Sequence, residues 1–194
     1  MHLIFDATSS SKEGQPLLFA FYQDQLLVKT TENRLVIPNP QDIELKEINL
    51  HKKLFIGIIN NHPCYTAELA EDTYPGNMLL FSLRKLFGSI EDDQFWAAGR
   101  AFQIMNWNRT HLFCGRCGTP TQNKSNEIAK ECPNCGLIVY HNMAPAVIVA
   151  VIKDNKILLA RNKQRVFKHY SVLAGFVEAG ESLEDCVIRE IMEE

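Results

Sequence analysis

The C-terminal part of the chain contains the sequence Gly175-Phe-Val-Glu-Ala-Gly-Glu181, then the segment Ser182 to Ile188, and finally Arg189-Glu190-Ile-Met-Glu193-Glu194. Ser182 is followed three positions later by Asp185. This spacing is typical of a capping box, in which a serine side chain accepts a hydrogen bond from a backbone N–H of the first helical turn. We therefore expect a glycine-rich loop followed by a helix that begins after Ser182.

The predicted helix carries acidic residues on its apolar face. At about 100° per residue, one arc contains four apolar residues: Leu183, Cys186, Val187 and Ile191. Glu190 and Glu194 lie in the middle of the same arc, and Glu193 lies at its edge. A solvated acidic surface would instead lie opposite the apolar residues. Because clustered carboxylates repel one another unless something neutralises them, the pattern favours a site for a hard divalent cation.

The same residues resemble the Nudix signature, Gly-x5-Glu-x7-Arg-Glu-aliphatic-x-Glu-Glu-x-Gly-aliphatic. The matching positions are Gly175, Glu181, Arg189, Glu190, Ile191, Glu193 and Glu194. The final x-Gly-aliphatic part lies beyond residue 194, so we expect an incomplete Nudix domain. In this superfamily the motif is a loop–helix–loop that holds a divalent metal ion against a diphosphate.

The Nudix resemblance implies a role for each residue of the motif. The implied catalytic side chains are Glu181, Arg189, Glu190, Glu193 and Glu194. Glu190 and Glu194 would ligate magnesium or manganese together with the backbone carbonyl of Ala174. Arg189 would orient a glutamate, and Glu181 would brace the loop.

Upstream of this motif, two cysteine pairs predict a zinc ribbon. Cys114-Gly-Arg-Cys117-Gly and Cys132-Pro-Asn-Cys135-Gly are separated by fourteen residues. Two thiolates spaced in this way bind one face of a tetrahedral zinc ion, and four of them form a closed, structural site. Four unligated thiols or two disulfides are the alternatives. Paired cysteines in a chain without an export signal favour metal thiolates in a reducing compartment, and hence a cytoplasmic protein.

The remaining segments indicate a mixed α+β chain. Two β-hairpins are predicted at 16–30 and 54–69, followed by a helix over Asn77 to Phe87 and a second helix from Asp92 or Asp93 to Asn108. Beyond the cysteines, 146–152 and 157–160 predict a hairpin that turns at Asp154-Asn155, and 170–177 predicts a strand.

Composition limits the classes of function. The chain has 46% apolar and 22% charged residues and a net charge of −3, as in ordinary globular proteins. A strongly basic surface typical of nucleic-acid binding is absent, and the cysteine-rich region has three cations against two acids. The longest apolar run, Ala144 to Ile152, is too short to span a membrane.

A four-cysteine ribbon directly before a Nudix motif resembles the NADH pyrophosphatase family, whose members also remove NAD caps from RNA. The resemblance implies an N-terminal domain (1–110), a zinc ribbon (111–141) and an incomplete Nudix α/β/α domain (142–194). It implies one structural zinc ion, catalytic magnesium or manganese, and a homodimer. It also implies that Glu127, Tyr140 and Arg84 contact the substrate, with surface ion pairing or packing as the alternative for each.

The implied reaction is hydrolysis of the diphosphate bond of NAD(H) to nicotinamide mononucleotide and AMP. The alternative is a catalytically inactive fragment that serves as a zinc-containing binding or dimerisation module. A ribbon that binds RNA directly is a third, weaker hypothesis, because the ribbon lacks a basic patch.

Overall fold

The computed structural model describes residues 14–32, 34–44, 48–161 and 169–194. The chain divides into two compact units, Met1–His141 and Asn142–Glu194. The first unit contains a mixed sheet with three helices, followed by a small antiparallel sheet. The second unit contains two short antiparallel strand pairs and the C-terminal helix.

The large sheet of the first unit has six strands. In chain order, its elements and helices are β1 (Leu17–Tyr22), β2 (Gln25–Thr31), β3 (Arg34–Val36), α1 (Pro40–Glu44), β4 (Leu50–Ile59), β5 (His62–Leu69), β6 (Met78–Ser82), α2 (Leu83–Leu86) and α3 (Asp92–Thr110). The strand order is β3-β2-β1-β5-β4, and β6 also pairs with β2. Strands β1 and β5 run parallel, and the other pairs are antiparallel.

Both predicted N-terminal hairpins are present. Strands β1 and β2 turn at Gln23-Asp24, and β4 and β5 turn at Asn60-Asn61. Asn60 and Asn61 have φ angles of 47° and 66°. Two successive positive φ angles give a turn whose twist matches that of the flanking strands, and asparagine tolerates this conformation well.

The central strand β1 is buried on both faces, because helices pack on both sides of the sheet. Phe19 and Phe21 belong to a core that includes apolar residues of α3, whereas Leu18 and Ala20 pack in a second core with Ile43 of α1. One apolar stripe of α3 lies in the first core: Phe95, Ala98, Phe102 and Met105.

The prediction of one helix over Asn77 to Phe87 was wrong. Residues Met78–Ser82 form β6, and only the four residues Leu83–Leu86 are helical. Strand β6 pairs with β2 over five residues, including Leu26 opposite Phe81. Pairing with β2 satisfies the backbone hydrogen bonds of this segment, and this tertiary pairing outweighs a helical spacing of leucines that is only eleven residues long.

The zinc-ribbon region forms three short antiparallel strands, β7 (Gln122–Asn123), β8 (Ala129–Glu131) and β9 (Ile138–Tyr140). With two or three residues each, these strands bury little apolar surface. Such a sheet needs additional stabilisation, for example by a metal ion.

The second unit consists of β10 (Ala146–Val149), β11 (Ile152–Lys153), β12 (Lys156–Ile157), β13 (Leu173–Phe176) and α4 (Leu183–Glu193). The predicted turn at Asp154-Asn155 is present between β11 and β12. The prediction of a long hairpin formed by 146–152 and 157–160 was wrong in extent, because β10 pairs with β13 instead. This pairing places the helix α4 against one face of the two strands.

The start of α4 agrees with the capping-box prediction. The Ser182 side chain accepts a hydrogen bond of 3.1 Å from the Asp185 backbone N–H, and its hydroxyl donates to the Asp185 carboxylate at 2.7 Å. The predicted apolar arc is only partly covered: Cys186 is fully buried, whereas Leu183 is exposed. Leu183 lies in the first turn of α4.

Taken together, the chain is a mixed α+β protein, as predicted. Within the described residues, no helix is both long and apolar enough to cross a membrane.

Candidate active site and zinc cluster

The acidic motif of α4 is organised around the guanidinium group of Arg189. Its Nε and Nη2 atoms donate to the two carboxylate oxygens of Glu181 at 2.8 and 3.0 Å. Its Nη1 atom donates to Glu190 at 2.9 Å and to Glu193 at 3.2 Å. A fifth hydrogen bond, from Nη2 to the Phe176 carbonyl, connects the group to β13. We call Arg189, Glu181, Glu190 and Glu193 the Arg189 brace.

Glu181 connects the Arg189 brace to the preceding loop. Besides the bidentate pair with Arg189, its Oε2 atom accepts a hydrogen bond of 3.0 Å from the Glu178 backbone N–H. The hydrogen bonds from Arg189 and then from Glu178 lower the pKa of Glu181 to about 2. Glu181 is therefore ionised throughout the neutral range, and its contacts hold the loop 178–181 against the helix.

Glu190 lies directly against the backbone of Gly175 in β13. A Cβ atom at Gly175 would lie 1.8 Å from the Glu190 carboxyl carbon. Only glycine therefore permits this approach. The Glu190 side chain is only 14% exposed. Its Oε1 atom accepts the hydrogen bond from Arg189. The strand and the arginine together fix the orientation of this carboxylate.

The other residues of the predicted metal site are more exposed. Glu193 joins the Arg189 brace but is largely accessible, and Glu194 is exposed at the C-terminal cap of α4. Ala174 is exposed in β13, directly before Gly175. Among the described residues, the only group of three or more metal-binding side chains with closely spaced ligand atoms is the cysteine group. The structure thus gathers Glu181, Glu190 and Glu193 on Arg189, and it leaves Glu194 outside this network.

Cys186 touches the same network, and its position three residues before Arg189 on α4 is the sequence signal for this contact. Its thiol is fully buried and donates to the Phe176 carbonyl at 3.5 Å, and the Arg189 Nη2 atom donates to its sulfur at 3.6 Å. Burial raises the pKa of this thiol, so it stays protonated and packs as a small apolar side chain beneath the arginine.

The four paired cysteines form one compact cluster. Their sulfur atoms all lie within 4.8 Å of one another, and the Cys114–Cys135 and Cys117–Cys132 sulfur pairs are each 3.5 Å apart. All six cysteines of the chain are free thiols. Since Zn–S bonds are about 2.3 Å long in tetrahedral sites, this spacing suits a single zinc ion. The donor set therefore fits a structural zinc site and not a pair of disulfides.

Each cysteine pair ends in a tight turn that requires glycine. Gly118 and Gly136 have φ angles of 74° and 69°, in the left-handed region that disfavours side chains. Their N–H groups donate to the carbonyls of Cys114 and Cys132 at 2.9 and 3.0 Å. Hydrogen bonding with Thr119 lowers the pKa of the Cys117 thiol to about 5, which favours the thiolate that binds metal.

Two of the three predicted substrate contacts lie on the zinc ribbon. Glu127 forms an ion pair of 2.8 Å with Lys124 and lines a cavity of about 170 Å³ together with Phe55 and Trp107. Tyr140 is exposed at the end of β9. Arg84 is exposed on α2, and so belongs to a different part of the first unit. Tyr140 lies in the ribbon sheet and Glu127 in the loop between β7 and β8, whereas Arg84 lies outside the ribbon on α2.

Replacing Gly175 by alanine tests whether the close contact with the Gly175 backbone fixes the orientation of the Glu190 carboxylate. The new methyl group forces the Glu190 carboxylate away, but a flexible side-chain end can move at little energetic cost. We expect the free energy of unfolding to change by less than about 1 kcal/mol, and magnesium or manganese affinity to fall. Gly99→Ala in α3, where a Cβ meets nothing within 4 Å, is the control and should leave metal affinity unchanged. Equal metal affinity in both variants, measured by calorimetry, would contradict a role of the Gly175 contact in orienting Glu190.

Replacing Cys132 by serine tests the zinc cluster. Loss of one thiolate opens the tetrahedral shell, so zinc content should fall to near zero and the ribbon should lose protection in hydrogen exchange. Cys186→Ala removes a buried thiol outside the cluster and should keep the zinc ion. Full zinc retention by Cys132→Ser in metal analysis would exclude the predicted ligand set.

Comparison with known families assigns a domain to almost every described part of the chain. The NADH pyrophosphatase-like rudimentary NUDIX domain matches residues 15–107. The NADH pyrophosphatase zinc ribbon domain matches residues 109–140, and the NUDIX domain matches residues 142–194.

Several curated relatives bear the name NAD-capped RNA hydrolase NudC. The protein of Pseudomonas aeruginosa (strain LESB58) is 40% identical over 163 residues, which cover 84% of this chain and 58% of the relative. Those of Deinococcus radiodurans and Haemophilus influenzae (strain PittEE) are 38% and 37% identical, over 72% and 84% of this chain and 51% and 60% of their own lengths. The chain thus spans little more than half the length of these relatives. On the three domain matches and these relatives, the chain belongs to the NADH pyrophosphatase family of Nudix hydrolases.

Proposed function

We propose that the protein hydrolyses the diphosphate bond of NAD(H) to nicotinamide mononucleotide and AMP, and that it also removes NAD caps from RNA. The observation that carries this proposal is the Glu190 carboxylate, held between Gly175 and Arg189 on the Nudix helix. An acid that is 14% exposed and oriented from two sides suits a group that holds a cation. The names of the relatives support the choice of substrate.

In this proposal, Glu190, Glu194 and the Ala174 carbonyl hold magnesium or manganese. When bound, the ion neutralises the diphosphate and makes water more acidic, which is the chemistry that this hydrolysis needs. The protein contributes orientation: Arg189 holds Glu190 in place and keeps Glu193 beside it. Glu181 fixes Arg189 and the loop 178–181. This arrangement needs no covalent intermediate, because positioning and electrostatics supply the catalysis.

On the zinc ribbon and the N-terminal domain, we propose that Glu127, Tyr140 and Arg84 contact the substrate. Tyr140 lies in β9 and Glu127 in the β7–β8 loop of the same ribbon, and Glu127 lines a cavity with aromatic walls that suit a planar ring. Exposed Arg84 suits a phosphate group. The zinc ion in this proposal is structural and holds the ribbon that carries the first two residues.

The domain limits 1–110, 111–141 and 142–194 remain part of the proposal. They are supported by the division of the chain at His141–Asn142 and by the matched domain ranges. The resemblance to the family also leads us to propose a homodimer in the cytoplasm. The free, clustered thiols are consistent with a reducing compartment.

A second candidate function is a zinc-containing binding or dimerisation module without activity. One observation favours it: Ile148 and Phe176, which the register of β10 and β13 places on the same face, are 76% and 67% exposed. An apolar strand face of this kind suits contact with another protein surface.

The test of the proposed reaction is release of AMP from NADH in the presence of magnesium or manganese. Glu190→Gln and Glu194→Gln each remove a negative ligand and should lower kcat by about 100-fold or more, since even indirect support of a metal site is worth 10–100-fold. Glu184→Gln, in the exposed first turn of α4, should retain full activity.

Normal turnover in Glu194→Gln would remove Glu194 from the metal site. A zinc-loaded wild-type protein that releases no AMP with either metal would favour the module. Faster decapping of NAD-capped RNA than hydrolysis of NADH would identify RNA as the main substrate.

A further inference from the structure

The ribbon sheet places Lys124 beside both proposed substrate contacts. The Lys124 N–H donates to the Ala129 carbonyl at 2.9 Å, which continues the register in which Asn123 lies opposite Lys130. Ala129 in turn lies opposite Tyr140 in β9. Lys124, directly after the end of β7, therefore lies in one row with Ala129 of β8 and Tyr140 of β9. Side chains in such a row share a face.

Lys124 forms an ion pair with Glu127. Its ammonium group lies 2.8 Å from the Glu127 Oε1 atom, and the two side chains are only 21% and 35% exposed. The hydrogen bond with Glu127, together with the negative charge of Glu131 and the hydroxyl of Tyr140, raises the pKa of Lys124, so the group stays charged. Both residues line the cavity whose walls include Trp107 and Phe55.

We propose that Lys124 is a positioning residue, which holds the Glu127 carboxylate in the orientation that binds the substrate. The inference rests on the proposed function, in which Glu127 contacts NAD(H). An ionised carboxylate is a hydrogen-bond acceptor only. The substrate group that Glu127 takes must therefore carry donors, as the ribose hydroxyls and the amide or amine groups of a dinucleotide do.

Without the ammonium group, the Glu127 side chain is free to adopt other rotamers, and binding then has to restrict it again. Such a contact serves the bound substrate and the transition state alike, so its loss raises KM and leaves kcat unchanged. A residue that only stabilises the ribbon would instead change zinc content or thermal stability.

The experiment compares Lys124→Met, Lys124→Arg and the control Arg116→Met. The control removes a positive charge from an exposed position of the same ribbon. We expect Lys124→Met to raise the KM for NADH about fivefold, the upper range for a partly exposed ion pair, with kcat within about twofold of the wild type. Lys124→Arg should restore most of the affinity, and Arg116→Met should match the wild type. All variants should keep their zinc ion and thermal midpoint.

A double-mutant cycle with Glu127→Gln isolates the interaction. If Lys124 acts through Glu127, the double variant should bind NADH about as weakly as Glu127→Gln alone, because the two effects are not additive. Dissociation constants for NADH, measured by calorimetry on zinc-loaded protein without added magnesium or manganese, separate this inference from the proposed reaction. A protein that binds NADH in a Lys124-dependent manner without hydrolysing it would refute the reaction and keep the inference.

Three outcomes would overturn the role of Lys124. The first is an unchanged KM and dissociation constant in Lys124→Met. The second is full additivity of Lys124→Met and Glu127→Gln, and the third is loss of zinc or of thermal stability in Lys124→Met. Absence of NADH binding by the zinc-loaded wild type would overturn both the inference and the proposed substrate.

Discussion

The arrangement of the C-terminal unit depends on one guanidinium group that pairs with three carboxylates. Arg189 binds Glu181, Glu190 and Glu193, and it also reaches the Phe176 carbonyl of the adjacent strand. Without this cation, three acids within one loop and helix would repel one another. With it, they become rigid acceptors in fixed orientations. The same network thus connects loop, helix and strand, and it makes an acidic helix compatible with packing on a sheet.

The sequence predicted this site in part. The spacing of the acids on the apolar arc of a helix indicated a cation, and the capping box located the start of α4. The contact between Gly175 and Glu190 was not predictable, because it depends on how closely the helix approaches β13. The contact of Cys186 with the Phe176 carbonyl of β13 has the same cause. Periodicity identifies the face of a helix but contains no information about the separation between that face and its partner.

In the fold too, features determined by neighbouring residues were predicted, whereas those determined by distant segments were not. The hairpins at Gln23-Asp24 and Asn60-Asn61 were predicted because turn residues and neighbouring strands carry the signal themselves. The segment 78–82 was assigned to a helix, since its pairing partner β2 lies some fifty residues earlier in the chain. Likewise, β10 pairs with β13 across a long connection and not with the nearest apolar run. The wrong predictions concern strands that pair with segments distant in the sequence.

Both proposed functional regions combine a rigid anchor with a carboxylate whose orientation is set by a cation. In the second unit, the anchor is β13 with α4, and Arg189 orients Glu190. In the zinc ribbon, the anchor is the four-thiolate cluster, and Lys124 orients Glu127. The two pairs differ in exposure: the Glu190 side chain is 14% exposed and that of Glu127 is 35% exposed. Because screening weakens the more exposed pair, the Arg189 brace suits a permanent framework for a metal ion, whereas the Lys124 pair suits adjustable contact with a substrate.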